Sequence, residues 1–440
     1  MNNIINYKNK DVGILGLGLS GLAAAKVLLN SKANIFVFDD KKEKPSIIKK
    51  RNWINYNYWP WESLKTLVVS PGIPINTEHK HNAIKLAIEN NVQVINDIDL
   101  FVETNPKAKI IGITGTNGKS TTAALLFHIL KFNKIKSVIC GNFGVPACSI
   151  NDPGKNGVII LELSSYQLDG AKNLSLDMAT IINITPDHLD YHENFDRYIY
   201  CKLKIINFLR NNGIFIFDQS NELLDKIIDT SKYKSLKFIR IHKKESTDFI
   251  NDNNHLKGTH NAINASIAIS IAKKLNINDN KIELAIKRFK GLSHRMEQIY
   301  VSKNLEIIND SKSTNGESTA AALKSFNNIF WIVGGKPKND GIGEAKKFLD
   351  KVVEIFIIGD STNYFSEEIL KLNKNIPLNV CVTIENATKL ALKKSKISKL
   401  KKCVILLSPS AASFDQFKNF EDRGNKFKKI VKTQLIRGII

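Results

Sequence analysis

The sequence lacks any long apolar run. No segment reaches the roughly 18 consecutive uncharged apolar residues that a membrane-spanning helix needs. The first residues lead into a strand pattern without the apolar core of a signal peptide. We therefore expect a cytoplasmic protein with no membrane partner.

Cysteine is scarce and scattered. The five cysteines form no CxxC pair, which argues against a disulfide framework and against a zinc–thiolate site. We expect them to be small buried apolar side chains in a reducing compartment.

Arginine is also sparse, although the formal net charge is +22. The excess is mostly lysine spread over every segment, whereas bidentate recognition of bases and phosphates favours the guanidinium group. No segment carries the signature of a DNA- or RNA-binding module. The composition predicts no nucleic-acid partner, although a basic field attracts anionic nucleotides.

What is present is a long α/β pattern. In this chain of 440 residues, short β-rich runs alternate with helical stretches, which is typical of parallel sheets built from βαβ units. Three blocks of this pattern predict domains over residues 1–97, 98–293 and 294–440. We expect Rossmann-like first and third domains and a central P-loop-type parallel sheet. The polar stretch 218–257 is expected to hold small strands or loops.

A glycine-rich turn follows the first predicted strand. The run GLGLSG at 16–21 has the GxGxxG spacing that brings a phosphate close to a helix N-terminus. Asp39 follows the next strand, where an NAD-binding domain carries its ribose-binding acid. Taken alone, this pattern is compatible with a dinucleotide site and also with a turn that binds no ligand.

A second phosphate loop follows the strand at 109–113. The run ITGTNGKS at 113–120 precedes a predicted helix over 121–132. Backbone N–H groups of such a loop surround phosphates, Lys119 would reach the β and γ oxygens, and Ser120 would ligate Mg²⁺. Ile113 stands where the general pattern has glycine, so the loop is a variant. It predicts a nucleoside triphosphate site.

Metal-ligating side chains follow two neighbouring predicted strands. Glu162 ends one strand, and Asp187 and His188 end the next. Ligands collect at the carboxyl edge of a parallel sheet, so these groups could complete Mg²⁺ or Mn²⁺ coordination. The alternative is a capping Asp–His pair at a turn.

Lys202 lies on the apolar stripe of a predicted helix over 195–209. Burial disfavours the charged amine, and a neutral amine can take up CO₂ to form a carbamate, a carboxylate-like metal ligand. The alternative is a lysine that extends to water along the apolar surface.

Motifs along essentially the whole chain resemble the Mur ligases. GTNGKST, LELSSYQL, DHLD and GTHNAINA resemble the general set of the family. GLSHRME, INDSKSTN and the long run LLSPSAASFDQFKNFEDRGNKF resemble the D-glutamate-adding member. The resemblance implies an ATP-dependent ligase that acts through an acyl phosphate in peptidoglycan precursor synthesis.

The resemblance also places family roles on matching positions. The implied ATP-binding residues are Gly115, Thr116, Asn117, Gly118, Lys119, Ser120, Thr121, Asn261, Asn264, Arg295 and Asp310. Two Mg²⁺ or Mn²⁺ ions would be held by Ser120, Glu162, His188 and Lys202, the last as a CO₂-derived carbamate. Lys119, His188 and Lys202 are the implied catalytic residues.

The implied substrates, besides ATP, are UDP-N-acetylmuramoyl-L-alanine and D-glutamate, bound by a monomer. The UDP-sugar would contact Leu19, Ser20, Asp40, Lys41, Gly72, Asn142 and His188. The D-glutamate pocket would comprise Thr314, Lys338, Ser413 and Phe420. The glycine-rich turn at 16–21 would then hold uridine diphosphate and not NAD.

Two pairs of residues depart from the pattern seen in some relatives. Lys336 and Pro337 replace an acidic residue and glycine, and Asp40 and Lys41 replace a Thr-Arg pair of some members. Three alternatives remain: a ligase for another amino acid or for folylpolyglutamate, an NAD-dependent oxidoreductase, and a nucleotide-sensing or nucleic-acid-binding protein without catalysis.

Overall fold

The structure is a computed structural model that describes residues 4–40, 45–46, 48–78, 80–250, 253–256, 258–337, 341–372 and 375–436. The chain divides into two compact units, one within 1–252 and 261–288, the other within 253–260 and 289–440. Their sheets are almost entirely parallel, so the predicted α/β class is confirmed. The domain limits at 97 and 293 remain predictions. Within the described ranges, no helix has the length and apolarity needed to cross a membrane.

The first sheet is built from the N-terminal part of the first unit. In chain order its elements are β1 (Asp11–Leu15), α1 (Leu19–Asn30), β2 (Asn34–Phe38), β3 (Leu64–Val69), α2 (Asn82–Glu89), β4 (Gln93–Asn96) and α3 (Asp97–Val102). The parallel strands lie in the order β2-β1-β3-β4. Because β2 and β3 flank β1, a crevice opens at the carboxyl end of β1, where the glycine-rich turn stands.

The second sheet also belongs to the first unit. The elements that follow in chain order are β5 (Lys109–Thr114), α4 (Lys119–Phe132), β6 (Ser137–Gly141), β7 (Val158–Glu162), α5 (Ser165–Gly170), β8 (Leu176–Ile181), α6 (Leu189–His192), α7 (Phe195–Asn207), β9 (Leu209–Asp218), α8 (Glu222–Ile227), β10 (Lys237–Ile241), α9 (Thr247–Ile250), α10 (Thr259–Lys274) and α11 (Asp279–Lys287). The six parallel strands lie in the order β10-β9-β8-β5-β7-β6.

Strand β5 lies inside this sheet, between β8 and β7. Its residues Ile110, Ile111 and Ile113 are buried, as expected for a parallel strand covered on both faces. The phosphate loop therefore starts from one of the most deeply packed strands of the unit. The polar stretch after β9 holds helices α8 and α9 besides strand β10, so the expectation of only small strands or loops was incomplete.

The third sheet lies in the second unit. Its elements are β11 (Glu297–Val301), β12 (Leu305–Asn309), α12 (Gly316–Lys324), β13 (Ile329–Gly334), β14 (Val352–Ile358), α13 (Thr362–Leu372), β15 (Leu378–Val382), α14 (Ile384–Ile397), β16 (Cys403–Leu407) and α15 (Phe420–Ile436). The strands lie in the order β11-β12-β16-β13-β14-β15, and only the edge strand β11 is antiparallel to its neighbour.

All five cysteines are buried and unbridged, as expected.

Candidate active site

The phosphate loop between β5 and α4 is anchored on the segment that follows β8. The N–H of Thr116 donates to the carbonyl of Asn183 at 3.0 Å, and the N–H of Asn117 donates to the Asn183 side chain at 2.9 Å. The N–H of Thr185 donates to Oγ1 of Thr116 at 3.0 Å. Sequence reasoning missed Asn183 and Thr185. Their position directly after a buried strand was the available signal.

Lys119 lies over this loop at the start of α4. Its Nζ donates to the carbonyl oxygens of Gly115 and Thr116, at 2.6 and 2.8 Å. The Lys119 ammonium group thus lies close to the N-terminus of α4, the positive end of the helix dipole. Both positive charges favour binding of an anion.

At Gly118, the phosphate loop lies against helix α10. Its φ of +85° is left-handed, and a Cβ there would collide with the side-chain oxygen of Asn264 on α10. Asn264 is buried and donates to Asn261, one turn away, at 3.3 Å. The structure therefore places Asn264 next to the phosphate loop and Asn261 beside Asn264, and these are the two asparagines predicted for the adenine side of ATP.

Glu162 ends β7 and is almost completely buried. Its Oε1 accepts a hydrogen bond from the Asn142 amide at 2.8 Å. Its Oε2 is buried and makes no hydrogen bond within the described residues. An ionised carboxylate oxygen without a partner is costly in the interior unless a cation neutralises it. Glu162 therefore fits a divalent metal ligand, and Ser120 is buried at the start of α4.

Lys202 is 1% exposed on α7, so the buried lysine is observed and the alternative of a lysine that extends to water is not. Its Nζ donates to the Gly115 carbonyl at 2.9 Å and lies 4.6 Å from the centroid of the Tyr198 ring. Burial lowers the pKa of Lys202 well below its usual range, and the positive charge of Lys119 lowers it further. Both effects shift the equilibrium of the Lys202 side chain toward the neutral amine.

His188 lies beyond the strand where sequence reasoning had placed it. Strand β8 ends at Ile181, and His188 stands in the following loop with a φ of 56°, directly before α6. Its Nδ1 lies 2.8 Å from the Tyr166 hydroxyl, and its Nε2 lies 3.6 Å from Oδ2 of Asp187. Across the described residues, no three His, Cys, Asp or Glu side chains are grouped to hold a metal. Any ion here would need ligands of other kinds, such as phosphate, Ser120 or a modified lysine.

A cavity of about 560 Å³ opens at the crevice of the first sheet. It brings together five of the residues predicted for the UDP-sugar: Leu19, Ser20, Asp40, Gly72 and Asn142. Tyr166, which also lines the cavity, connects it to His188. Sequence reasoning missed Tyr166 and Gln167 as lining residues, and Lys41 lies outside the described residues.

In the second unit, Asp310 is buried directly after β12. Its Oδ1 accepts from the Met296 N–H and its Oδ2 from the Ser408 hydroxyl, both at 3.0 Å. Burial raises the pKa of Asp310 to about 7, against the opposing effect of these hydrogen bonds and of Arg295. The two residues predicted for the ribose and phosphates of ATP therefore influence one another.

A buried arginine connects chain segments that lie close in sequence to the residues predicted for D-glutamate. Arg423 is 1% exposed and donates to the Ser311 carbonyl at 2.9 Å and to the Ala411 carbonyl at 3.0 Å. Ser311 in turn donates to the carbonyl of Phe420 at 2.9 Å. Ser413 is buried, Thr314 is half-buried, and Lys338 lies outside the described residues.

Comparison with known proteins decides the family. Residues 10–96 match the model for the Mur ligase MurD-like N-terminal domain, and residues 113–278 match the Mur ligase middle domain. A UDP-N-acetylmuramoylalanine--D-glutamate ligase of Rickettsia prowazekii (strain Madrid E) is 35% identical, over 97% of this chain and 98% of its own. The chain belongs to the Mur ligase family.

Other relatives of this Mur ligase agree. An enzyme of the same name from Rhodopseudomonas palustris (strain HaA2) is 32% identical, over 97% of both chains. Among solved structures, a UDP-N-acetylmuramate-alanine ligase from Thermotoga maritima has a TM-score of 0.58 at 16% identity, covering 96% of this chain and 99% of that chain. The MurF ligase from Thermotoga maritima, solved in complex with ADP, has a TM-score of 0.58 at 16% identity, covering 99% and 98%. These structures share the fold of this Mur ligase.

Proposed function

We propose that this Mur ligase uses ATP to join D-glutamate to UDP-N-acetylmuramoyl-L-alanine in peptidoglycan precursor synthesis. The proposal rests on the convergence of Lys119 and Lys202 on the carbonyl oxygen of Gly115, in the phosphate loop. That arrangement supports phosphoryl transfer from ATP. The relatives named for the D-glutamate reaction, matched over nearly the whole chain, select the substrates.

The reaction has two steps. A carboxylate is a poor electrophile, so the L-alanyl carboxylate first attacks the γ-phosphorus of ATP, and ADP leaves. The amine of D-glutamate then attacks the carbonyl carbon of the acyl phosphate. A carbon–nitrogen bond forms, inorganic phosphate leaves, and the amine gives up a proton.

The phosphate loop would bind and orient the triphosphate. The backbone N–H groups of the loop and the N-terminus of α4 favour an anion. Lys119 would exchange its contacts with the Gly115 and Thr116 carbonyls for the β and γ oxygens of ATP. Asn264, next to Gly118, and its hydrogen-bond partner Asn261 would contact the adenine side of the nucleotide.

Ser120 and Glu162 would hold one Mg²⁺ (or Mn²⁺), and His188 with a modified Lys202 would hold a second. The unpartnered Oε2 of Glu162 supports this assignment. Such ions, when bound, screen the repulsion between an attacking carboxylate and the phosphate oxygens.

Lys202 would act as a carbamate. Its neutral amine would add to the carbon of CO₂ and lose a proton, which leaves a negatively charged carboxylate-like group on Nζ. The carbamate nitrogen retains one hydrogen, so the bond to the Gly115 carbonyl can persist. The modification would replace a disfavoured buried ammonium by a metal ligand.

The 560 Å³ cavity would bind the UDP-sugar. In the second unit, Thr314, Lys338, Ser413 and Phe420 would bind D-glutamate, while Arg295 and Asp310 would contact the phosphates and ribose of ATP. We further propose that the enzyme acts as a cytoplasmic monomer, which sedimentation and cell fractionation would test.

Phosphate release tests the function directly. Purified protein with UDP-N-acetylmuramoyl-L-alanine, ATP and D-glutamate should release phosphate, whereas L-glutamate, L-alanine or diaminopimelate should not replace D-glutamate. Lys119→Ala should abolish the release. Activity with another amino acid would overturn the substrate assignment, and NADH binding without phosphate release would favour an oxidoreductase.

A further inference from the structure

We propose that His81 is a positioning residue that orients Asp40 toward the uridine half of the nucleotide substrate. The inference rests on the proposed function in one respect, that the cavity receives the UDP group and that Asp40 contacts it. Asp40 lines that cavity, two residues after β2 ends at Phe38. In Rossmann-like sheets, the side chain after the second strand faces the ribose end of a nucleotide.

His81 uses both of its ring nitrogens. Directly before α2, its Nδ1 accepts a hydrogen bond from the N–H of Ala83 at 3.0 Å, so the ring caps the helix. Because Nδ1 is the acceptor, the ring hydrogen of the neutral imidazole lies on Nε2. Nε2 is 3.1 Å from Oδ2 of Asp40, close enough to donate to the carboxylate.

Aromatic packing fixes the plane of this imidazole. Tyr56 meets His81 edge-on, with ring centroids 5.0 Å apart. Tyr56 also packs edge-on against Phe38, the last residue of β2, at 5.1 Å. The Asp40 side chain is 53% exposed, and the His81 side chain only 18%. The half-exposed Asp40 carboxylate is thus hydrogen-bonded to an imidazole that a backbone N–H and an aromatic ring hold in place. Because the Asp40 side chain is already ordered, it loses less conformational entropy when the nucleotide binds.

Charge determines which end of the nucleotide faces Asp40. An ionised carboxylate only accepts hydrogen bonds and repels the diphosphate. The diphosphate is better placed at the N-terminus of α1, where Leu19 and Ser20 of the cavity stand. The uridine offers donors that suit a carboxylate: the N3–H of uracil and the ribose hydroxyls. The preceding Asp39 already accepts from the Leu17 N–H at 2.6 Å through Oδ2.

The test separates positioning from helix capping. Asparagine is among the best N-cap residues, so His81→Asn should retain the cap on α2 while losing the donor that reaches Asp40. His242→Asn is a matched control, because His242 also accepts a backbone N–H through Nδ1, from Lys244 at 3.2 Å. Asp40→Asn tests the acceptor itself. UDP, CDP and 2′-deoxy-UDP are the probes, measured by calorimetry on the full-length protein.

We expect His81→Asn to weaken UDP binding roughly three- to tenfold, the usual effect of one hydrogen bond. Its melting temperature and its KM for ATP should match those of the wild type and of His242→Asn. If the uracil base donates to Asp40, Asp40→Asn should reduce the preference for UDP over CDP. If a ribose hydroxyl donates, the same variant should reduce the preference for UDP over 2′-deoxy-UDP.

Unchanged UDP affinity in both variants would overturn the inference. A His81→Asn protein with a lower melting temperature and equal losses for UDP and ATP would also overturn it, because capping would then be the only role. If the wild type binds no UDP, the proposed function fails as well. If the wild type binds UDP and both variants bind it equally well, this inference is wrong while the proposed function stands.

Discussion

The hydroxyl of Tyr166 lies 2.8 Å from Nδ1 of His188, and Tyr166 also lines the cavity proposed for the UDP-sugar. Burial raises the pKa of Tyr166, so its hydroxyl stays protonated at neutral pH. A histidine that binds metal through one ring nitrogen usually gives the other a hydrogen-bond partner. Tyr166 is in the position to be that partner for His188.

Tyr166→Phe should therefore weaken metal binding by roughly 10- to 100-fold while retaining the aromatic packing. Manganese binding in the presence of ADP, followed by electron paramagnetic resonance, measures this without turnover. Tyr191→Phe is the matched control, because its ring packs on Tyr166 with centroids 4.1 Å apart. Equal metal affinity in the two variants would contradict the role of the Tyr166 hydroxyl.

Gly118→Ala should abolish ATP binding, because the added Cβ meets Asn264 and because the φ of +85° is strained for a side chain. The backbone strain alone costs roughly 1–2 kcal/mol. Gly154→Ala supplies the control, since Gly154 has a φ of +86° and open space around the added Cβ. Calorimetry with ADP should show binding by the Gly154 variant and none by the Gly118 variant. Similar ADP affinity in both would show that the clash with Asn264 is relieved.

Lys202→Ala should lose nearly all activity, and added bicarbonate should not restore it, because no amine remains to form the carbamate. Lys204→Ala tests the same helix, since Lys204 donates to the Asp169 carbonyl and not to the phosphate loop. Carbon-13 bicarbonate should give a carbamate resonance in the wild type and in Lys204→Ala only. Near-normal activity of Lys202→Ala would refute the carbamate.

Asp310→Asn should flatten the pH dependence of stability. Folding raises the pKa of Asp310 from 3.8 to about 7, so the carboxyl group favours the folded state below pH 4 and loses this contribution as the pH rises through 7. The full shift corresponds to at most on the order of 4 kcal/mol. Asparagine stays neutral and can keep the bond from the Met296 N–H.

The measurement is the melting temperature of ligand-free protein between pH 4 and 8. Asp350→Asn, at an exposed position of the same unit, should retain the wild-type pH profile. A profile of Asp310→Asn that parallels the wild type would show that Asp310 ionises as it does in the unfolded chain.

Much of the fold was readable because its signals are local. Buried parallel strands are continuous apolar runs, and most of them were predicted from such runs. Strand β4 was missed because its four residues begin and end with polar side chains. The edge strand β11 was missed because its sequence, EQIYV, does not alternate between polar and apolar residues. Its position at the sheet edge leaves four of its five residues half-buried, so no buried face had to be apolar. Helix α7 was predicted well, since its apolar stripe recurs at helical spacing.

The sequence by itself determined the phosphate loop, the glycine-rich turn and the apolar stripe that carries Lys202, because each depends on residues within one or two helical turns. Only the tertiary structure decided that Lys202 donates to Gly115, 87 residues away, and that His81 meets Asp40, 41 residues away. Such pairs depend on the order of strands in a sheet and on the loops that leave it. Local periodicity constrains neither, because it restricts the conformation of near neighbours and leaves the pairing of distant segments to packing.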